Sequence, residues 1–237
     1  MLKIENLSVQ IKGKEILKSI SFDFEQGKNY CILWKNGSWK SSLAMSIAWN
    51  PKYEITNWNI KLDNTSIKDL TADERSKLWI FLTFQNIPEI PWVKLFEFLK
   101  SIYDVRQEKP TSFIGFKKII EPLIEDLWID KEFLRRDLNV GFSWGEKRKI
   151  EVLQIKLLNP KVIIFDEIDS WLDVNAVKQV SELLKQTNSE NNTFIIITHL
   201  FDMLEWLPIE KVIILDKWKI KEVGDNNLMN KIKKEGF

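Results

Sequence analysis

The run Val162-Ile-Ile-Phe165-Asp166-Glu167 ends four apolar residues in two acids. A strand buried on both faces would deliver that pair to its end, where one carboxylate can hold a cation and the next can polarise a water. Upstream, Trp34-Lys35-Asn36-Gly37-Ser38-Trp39-Lys40-Ser41-Ser42 follows the phosphate-cradling pattern G-x-x-x-x-G-K-[ST] except at its glycines. Lys40 could hold phosphate and the Ser41 hydroxyl a magnesium ion, with main-chain N–H groups and a helix start turned towards the anion. Both obligatory glycines, at 34 and 39, are tryptophan. An indole at either position stands where phosphate or backbone must go. Ser143-Trp144-Gly145-Glu146 is a capping box that opens a helix, and its positive end could meet a second phosphate. Gln85 follows Phe81-Leu-Thr-Phe84, Ser170-Trp171-Leu172-Asp173 follows the acidic pair, and the single histidine, His199, follows Phe194–Thr198. Taken singly, each has a plainer reading: a buried strand with an acidic loop, a capped helix, a structural histidine.

The elements that must carry these residues are legible from periodicity. Leu2, Ile4, Val9, Ile11, Phe22 and Phe24 alternate as half-buried strands, and Tyr30–Leu33 reads as a buried one. The spacing predicts a helix over Lys40–Ala48 with Leu43, Ala44 and Ile47 on one face, and Thr71-Ala-Asp-Glu74 caps a short helix. From about Asn86 to Gly141 the texture turns helical, with Leu95, Phe96, Leu99 and Ile102, then Ile119, Leu123 and Ile124, and a loop at Glu108–Ser112. Beyond it, helix Ser143–Leu158, strand Val162–Phe165, helix Val174–Lys185, strand Phe194–Thr198, helix Phe201–Leu207 and strand Val212–Leu215 alternate. That order predicts an α/β fold with a largely parallel, covered sheet. The expected layout is one domain, with a core of residues 1–85 and 142–237 and a helical subdomain at 86–141.

Lysine plus arginine is 35 and aspartate plus glutamate 34, a formal charge of +1. This balance argues against a strongly electrostatic nucleic-acid binder or a polybasic membrane-surface protein. One cysteine, Cys31, and one histidine allow neither an internal disulfide nor a zinc cluster, which fits a reducing cytoplasm. Cys31 reads as a small buried residue. The start lacks the pattern of a signal peptide, and no apolar run approaches the roughly 18 residues a membrane span needs, so no direct membrane insertion is expected.

In this order along one chain, the motifs resemble those of ATP-binding-cassette (ABC) ATPases. Within that superfamily the chain is most similar to SufC-like ATPase subunits of the SUF iron–sulfur cluster assembly system. The matches are Asn50-Pro-Lys-Tyr-Glu-Ile-Thr56, Phe81-Leu-Thr-Phe-Gln85 running into Pro88-Glu-Ile-Pro91, Gly141-Phe-Ser143 with Glu146-Lys-Arg148, and Asp166-Glu-Ile-Asp-Ser170. Transporter ATPases more usually carry Gln at the position of Glu146 and Pro-Thr at Ile168-Asp169. The resemblance implies a RecA-like parallel-sheet core, an N-terminal antiparallel β subdomain and an inserted helical subdomain. It implies ATP and Mg2+ as cofactors, bound by residues 34–42 and, from a second copy, by Ser143, Trp144, Gly145 and Glu146. Metal contacts fall to Ser41, Gln85 and Asp166, and catalytic roles to Glu167, Gln85 and His199. The implied partners are SUF scaffold subunits and a transient, ATP-dependent head-to-tail homodimer. One departure concerns the base: no aromatic lies near Val9–Lys14, which leaves Ile11 and Ile16 to cover adenine and implies loose base selectivity. Two other functions stay open, the ATP-binding subunit of a membrane transporter and, with genuine tryptophans, a binding module defective in nucleotide binding.

Glycine occurs only 8 times in 237 residues and tryptophan 11 times; pooled, they make an ordinary glycine complement of about 8%. The family expects glycine at 34, 37, 39, 144, 145 and 171, and four of these six are tryptophan, close to the tryptophan share of the pooled set. Substitution is therefore blind to site, as a codon effect would be. Trp49 precedes Asn-Pro at a helix end, Trp128 ends a helical stretch, Trp58 and Trp218 read as turns, Trp92 follows a proline, and Trp79 and Trp206 lie near helix ends. The expectation is that UGA codons specify glycine in this gene and have been translated as tryptophan. The chain with glycine at all eleven positions is called the glycine form below.

Overall fold

The structure, a computed structural model, describes residues 1–34, 40–168, 172–198, 201, 204, 207–216 and 218–236, with backbone alone at 34 and 40. Two compact units form. The first comprises Met1–Phe84, Pro160–Asp169 and Asn188–Phe237; the second comprises Gln85–Asn159 and Ser170–Thr187.

Alternation at the start of the chain produces β1 (Leu2–Ile11) and β2 (Lys14–Phe24), paired antiparallel with Ile11 opposite Lys14. Lys12 and Gly13 both take positive φ in the two-residue turn, which matches the twist of the strands. β3 (Asn29–Trp34) follows, with Tyr30–Leu33 buried. α1 (Lys40–Ile47) buries the predicted face of Leu43, Ala44 and Ile47. β4 (Glu54–Leu62) lies beside β1 and β5 (Thr65–Ser66) beside β4, which gives a four-stranded antiparallel sheet of order β2-β1-β4-β5. α2 (Ala72–Lys77) opens on the expected box, the Thr71 N–H donating to Glu74 Oε2 at 2.8 Å, and β6 (Ile80–Thr83) leaves it.

Trp58 departs from the sequence reading: it lies inside β4, not in a turn. The flanking asparagines imitate turn chemistry, but pairing of Asn57 with Ser8 and of Asn59 with Glu5 carries the strand through them.

In the second unit β7 (Ile90–Lys94) leads into α3 (Leu95–Asp104) and α4 (Phe113–Asp126). Leu95 and Leu99 of α3 are fully buried, as the sequence predicts, with Phe96 and Ile102 half-buried; in α4 the buried stripe is Phe116, Ile120 and Ile124, so of the predicted Ile119, Leu123 and Ile124 only Ile124 is fully buried. The Ser112 side chain caps α4 by accepting from the Gly115 N–H at 3.1 Å. β8 (Asp137–Leu138) returns to pair with β7, and α5 (Trp144–Leu158) and α6 (Val174–Thr187) complete the unit. Residues 86–141 lie inside this unit, which also takes in α5 and α6.

The remaining elements of the first unit are β9 (Val162–Asp166), β10 (Thr193–Ile197), β11 (Lys211–Asp216), β12 (Lys219–Gly224) and α7 (Asn226–Glu235). They form a six-stranded sheet of order β12-β11-β3-β10-β9-β6, parallel except for β12. Every residue of β9 and β10 is buried, as continuous apolar runs in a covered parallel sheet require. The α/β class with its antiparallel β subdomain is the one expected. The helix read at Phe201–Leu207 lies largely outside the described residues.

Candidate functional site

Register places the chemistry at one edge. Ile197 of β10 pairs with Asp166 of β9 on one side and with Ile32 of β3 on the other. Thr83 of β6 pairs with Phe165. The carboxyl ends of these strands therefore share one edge of the sheet, the edge at which open α/β sheets bind their ligands.

Asp166 closes β9 and is fully buried, its N–H donating to Thr83 Oγ1 at 3.3 Å. Glu167, 6% exposed, takes φ 49°, a left-handed backbone that costs free energy for a residue with a Cβ. Its N–H donates to the Ile197 carbonyl at 2.9 Å, which anchors this turn to the neighbouring strand. The acid is thus swung off the strand axis at the sheet edge.

Behind these acids lies α1. Ser42 is buried, and the Ser46 hydroxyl donates to its carbonyl at 2.6 Å. The Tyr53 hydroxyl shares a hydrogen bond with the Ser42 side chain and feels the charge of Asp166. Burial pushes the phenol up from its ordinary value, the Ser42 bond pulls it down and Asp166 pushes it up again. Tyr53 stays a neutral hydroxyl able to donate. Ser41 and Asp166 in the first unit, and Gln85 in the second, each carry a hard oxygen donor of the kind Mg2+ takes. Among the described residues no cluster of three or more His, Cys, Asp or Glu offers a competing metal site.

In the second unit Ser143 caps α5 reciprocally. Its N–H donates to Glu146 Oε2 at 2.7 Å and its Oγ accepts from the Glu146 N–H at 3.3 Å. The next turn is pinned: Lys147 Nζ bonds Glu89 at 2.8 Å and lies 5.2 Å from the Trp144 ring, and Lys147 holds the Glu89 carboxyl below its usual range. Arg148 is fully buried, paired with Glu151 at 2.6 Å, and donates to the Gln85 carbonyl at 3.3 Å. One guanidinium therefore ties the capped helix to the main chain of Gln85.

A family model described as ABC transporter matches residues 17–170. The chain belongs to the ABC transporter family. A probable ATP-dependent transporter ycf16 of Antithamnion sp. is 36% identical to the cassette over 244 residues, covering 100% of the chain and 96% of that protein. The iron–sulfur cluster assembly protein SufC of Plasmodium falciparum is 38% identical over 243 residues, covering 100% and 70%. In fold the cassette is similar to the dimeric ATP-binding cassette MJ0796 bound to ADP and Pi, with TM-score 0.81 at 20% identity over 95% of this chain and 98% of that one. Among the described residues of the cassette no helix is long and apolar enough to cross a membrane.

Lys40 heads α1, while Lys35, Asn36, Gly37, Ser38, Trp39, Ser170, Trp171 and His199 lie outside the described residues. Cys31 is buried in β3, as expected of a small core residue. Ile16 is corrected: it is fully buried in the sheet and cannot cover a base, whereas Ile11 is half-buried.

Sequence reasoning missed Tyr53 and also Arg75. Arg75 is 1% exposed and donates only to carbonyls: Ile47 at 2.8 Å, Ser46 at 3.3 Å, Leu70 at 3.0 Å and Lys68 at 3.2 Å. Two of these close the last turn of α1, where the helix presents partial negative charge. Burial pushes the guanidinium down to about 10, still charged at neutral pH. Arg75→Met is expected to lower the unfolding free energy by about 3 kcal/mol, since four buried carbonyls lose their donor. Urea titration checks this, and an unchanged midpoint would refute the clasp.

Proposed function

We propose that the cassette, in its glycine form, hydrolyses ATP and that the cycle drives rearrangement of a SUF-type scaffold during iron–sulfur cluster assembly. The observation that carries the reading is similarity over the entire chain to SufC proteins, together with Glu146 and Ile168-Asp169 where transporter ATPases usually differ. Lys40 neutralises the β- and γ-phosphates. Ser41, Gln85 and Asp166 would hold magnesium, which would neutralise charge on the phosphate oxygens. Glu167 takes the proton of the attacking water, and His199 senses the γ-phosphate. Ser143–Glu146 of a second copy presents its helix start to that phosphate, which makes a transient head-to-tail dimer.

The transporter reading draws on the printed names of other relatives, ycf16 among them. Co-expression separates the two. The glycine form is expected to co-elute with scaffold subunits encoded in the same genome and to hydrolyse ATP faster in their presence. Co-elution with a permease instead would overturn the SUF assignment.

Tyr53→Phe removes one hydrogen bond to Ser42 without removing the ring. A net value of about 1 kcal/mol corresponds to a roughly fivefold rise in KM for MgATP with kcat nearly unchanged. Steady-state kinetics on the glycine form measures the split, and a fall confined to kcat would reject this supporting role.

A further inference from the structure

We infer that the functional protein carries glycine at its tryptophan positions, because at five of them the backbone has the shape of glycine. Of the seven tryptophans described with their side chains, five take positive φ: Trp49 63°, Trp79 73°, Trp92 68°, Trp128 50° and Trp218 74°. Only a few per cent of non-glycine residues do so, and a bulky one is an outlier. Among the eight other such residues described here, five are Asn or Asp, whose short polar side chains tolerate this region.

Each of the five also occupies a motif with its own demand for glycine. Trp49 and Trp128 stand just past the ends of α1 and α4. The Asn50 N–H reaches Met45 O at 2.8 Å and that of Trp49 reaches Ser46 O at 3.2 Å. The Ile129 N–H reaches Ile124 O at 3.0 Å and that of Trp128 reaches Glu125 O at 3.1 Å. This double bond pattern is the helix stop that glycine favours. Trp79 follows α2, its N–H on Ser76 O at 3.1 Å. Trp218 is the second residue of the two-residue loop between β11 and β12, where Asp216 pairs with Lys219. Trp92 sits in the register shift of β7 against β8, a bulge position. Trp92 is 92% exposed and Trp128 79%, so those rings repay little of the backbone cost, whereas Trp49 is half-buried beside Trp58 and Arg75. Trp58 and Trp144, with ordinary φ, follow from the common codon and not from backbone shape.

The inference stands without the ATPase reading, although it decides whether the 34–41 loop can close on phosphate. Tandem mass spectrometry of the protein isolated from its source cells reads the residues directly. Glycine at 49, 79, 92, 128 and 218, with UGA in the coding DNA, is expected; tryptophan in those peptides, or UGG codons, would overturn the inference. A recombinant pair gives a second reading. Replacing those five tryptophans by glycine is expected to raise Tm by about 5–10 °C, since it relieves left-handed strain at five positions and removes no fully buried side chain. An unchanged or lower Tm counts against it. Glycine in the native peptides with no ATP turnover would overturn the proposed function alone, and tryptophan with turnover would overturn this inference alone.

Discussion

Glu167→Gln in the glycine form is expected to lower kcat for ATP hydrolysis by about 10²- to 10³-fold while leaving ATP affinity within a factor of about two. The side chain keeps its size and an acceptor oxygen but can no longer take a proton from water. Its setting makes the loss specific. Glu167 is held in a left-handed turn by its N–H bond to Ile197, and the main chain rather than the carboxylate makes that bond. Substitution by glutamine therefore leaves the turn and the neighbouring Asp166 in position. With binding intact and turnover removed, the nucleotide-bound state accumulates. If the head-to-tail assembly is correct, light scattering will then report a dimer that forms with MgATP and is absent without nucleotide. Turnover at the parental rate would show that another group activates the water and would remove Glu167 from the mechanism. Asp166→Asn should behave differently: with the proposed role of Asp166 beside magnesium, its loss is expected to raise the Mg2+ requirement before it lowers the rate.

What the sequence discloses about this cassette follows from how local each signal is. Tyr30–Leu33, Val162–Phe165 and Phe194–Thr198 are apolar runs whose burial on both faces needs no knowledge of their neighbours, and their strands fall where periodicity puts them. The capping boxes at Thr71 and Ser143 are equally local, since donor and acceptor lie three residues apart. Pairing of β7 with β8 is not local. It joins Ile90 to Leu138 across the whole helical region, and Pro91 argues against a strand on sequence alone. Arg75 looks like a solvated charge on a short polar helix, and only the fold shows the carbonyls of residues 46, 47, 68 and 70 closing around it. Tyr53 is likewise silent, because its partner Ser42 belongs to the helix before it. The acidic pair was legible as a pair. Its left-handed turn was not, because nothing in the residue type of Glu167 announces positive φ.

Trp34→Gly with Trp39→Gly, made in the translated chain, is expected to tighten MgATP binding at least about hundredfold, a gain of about 3 kcal/mol. Trp34 is the last residue of β3, paired with Leu215 of β11, and α1 begins at Lys40. A phosphate-cradling sequence between such a strand and helix works by aiming main-chain N–H groups at one phosphate, to which the helix adds its positive end. Glycine at both motif positions would free the torsions of such a turn and leave room for the anion, which an indole is expected not to do. Lys40 alone does not compensate, because its charge acts on a phosphate that must first enter the loop. The control is the complementary chain, with glycine at the other nine positions and tryptophan kept at 34 and 39. It is expected to gain stability at positions 49, 79, 92, 128 and 218, where φ is positive, and to gain no affinity. Calorimetric titration of both chains separates stability from function. If the nine-glycine chain binds MgATP as tightly as the glycine form, the cradle does not depend on these residues and nucleotide must be held elsewhere.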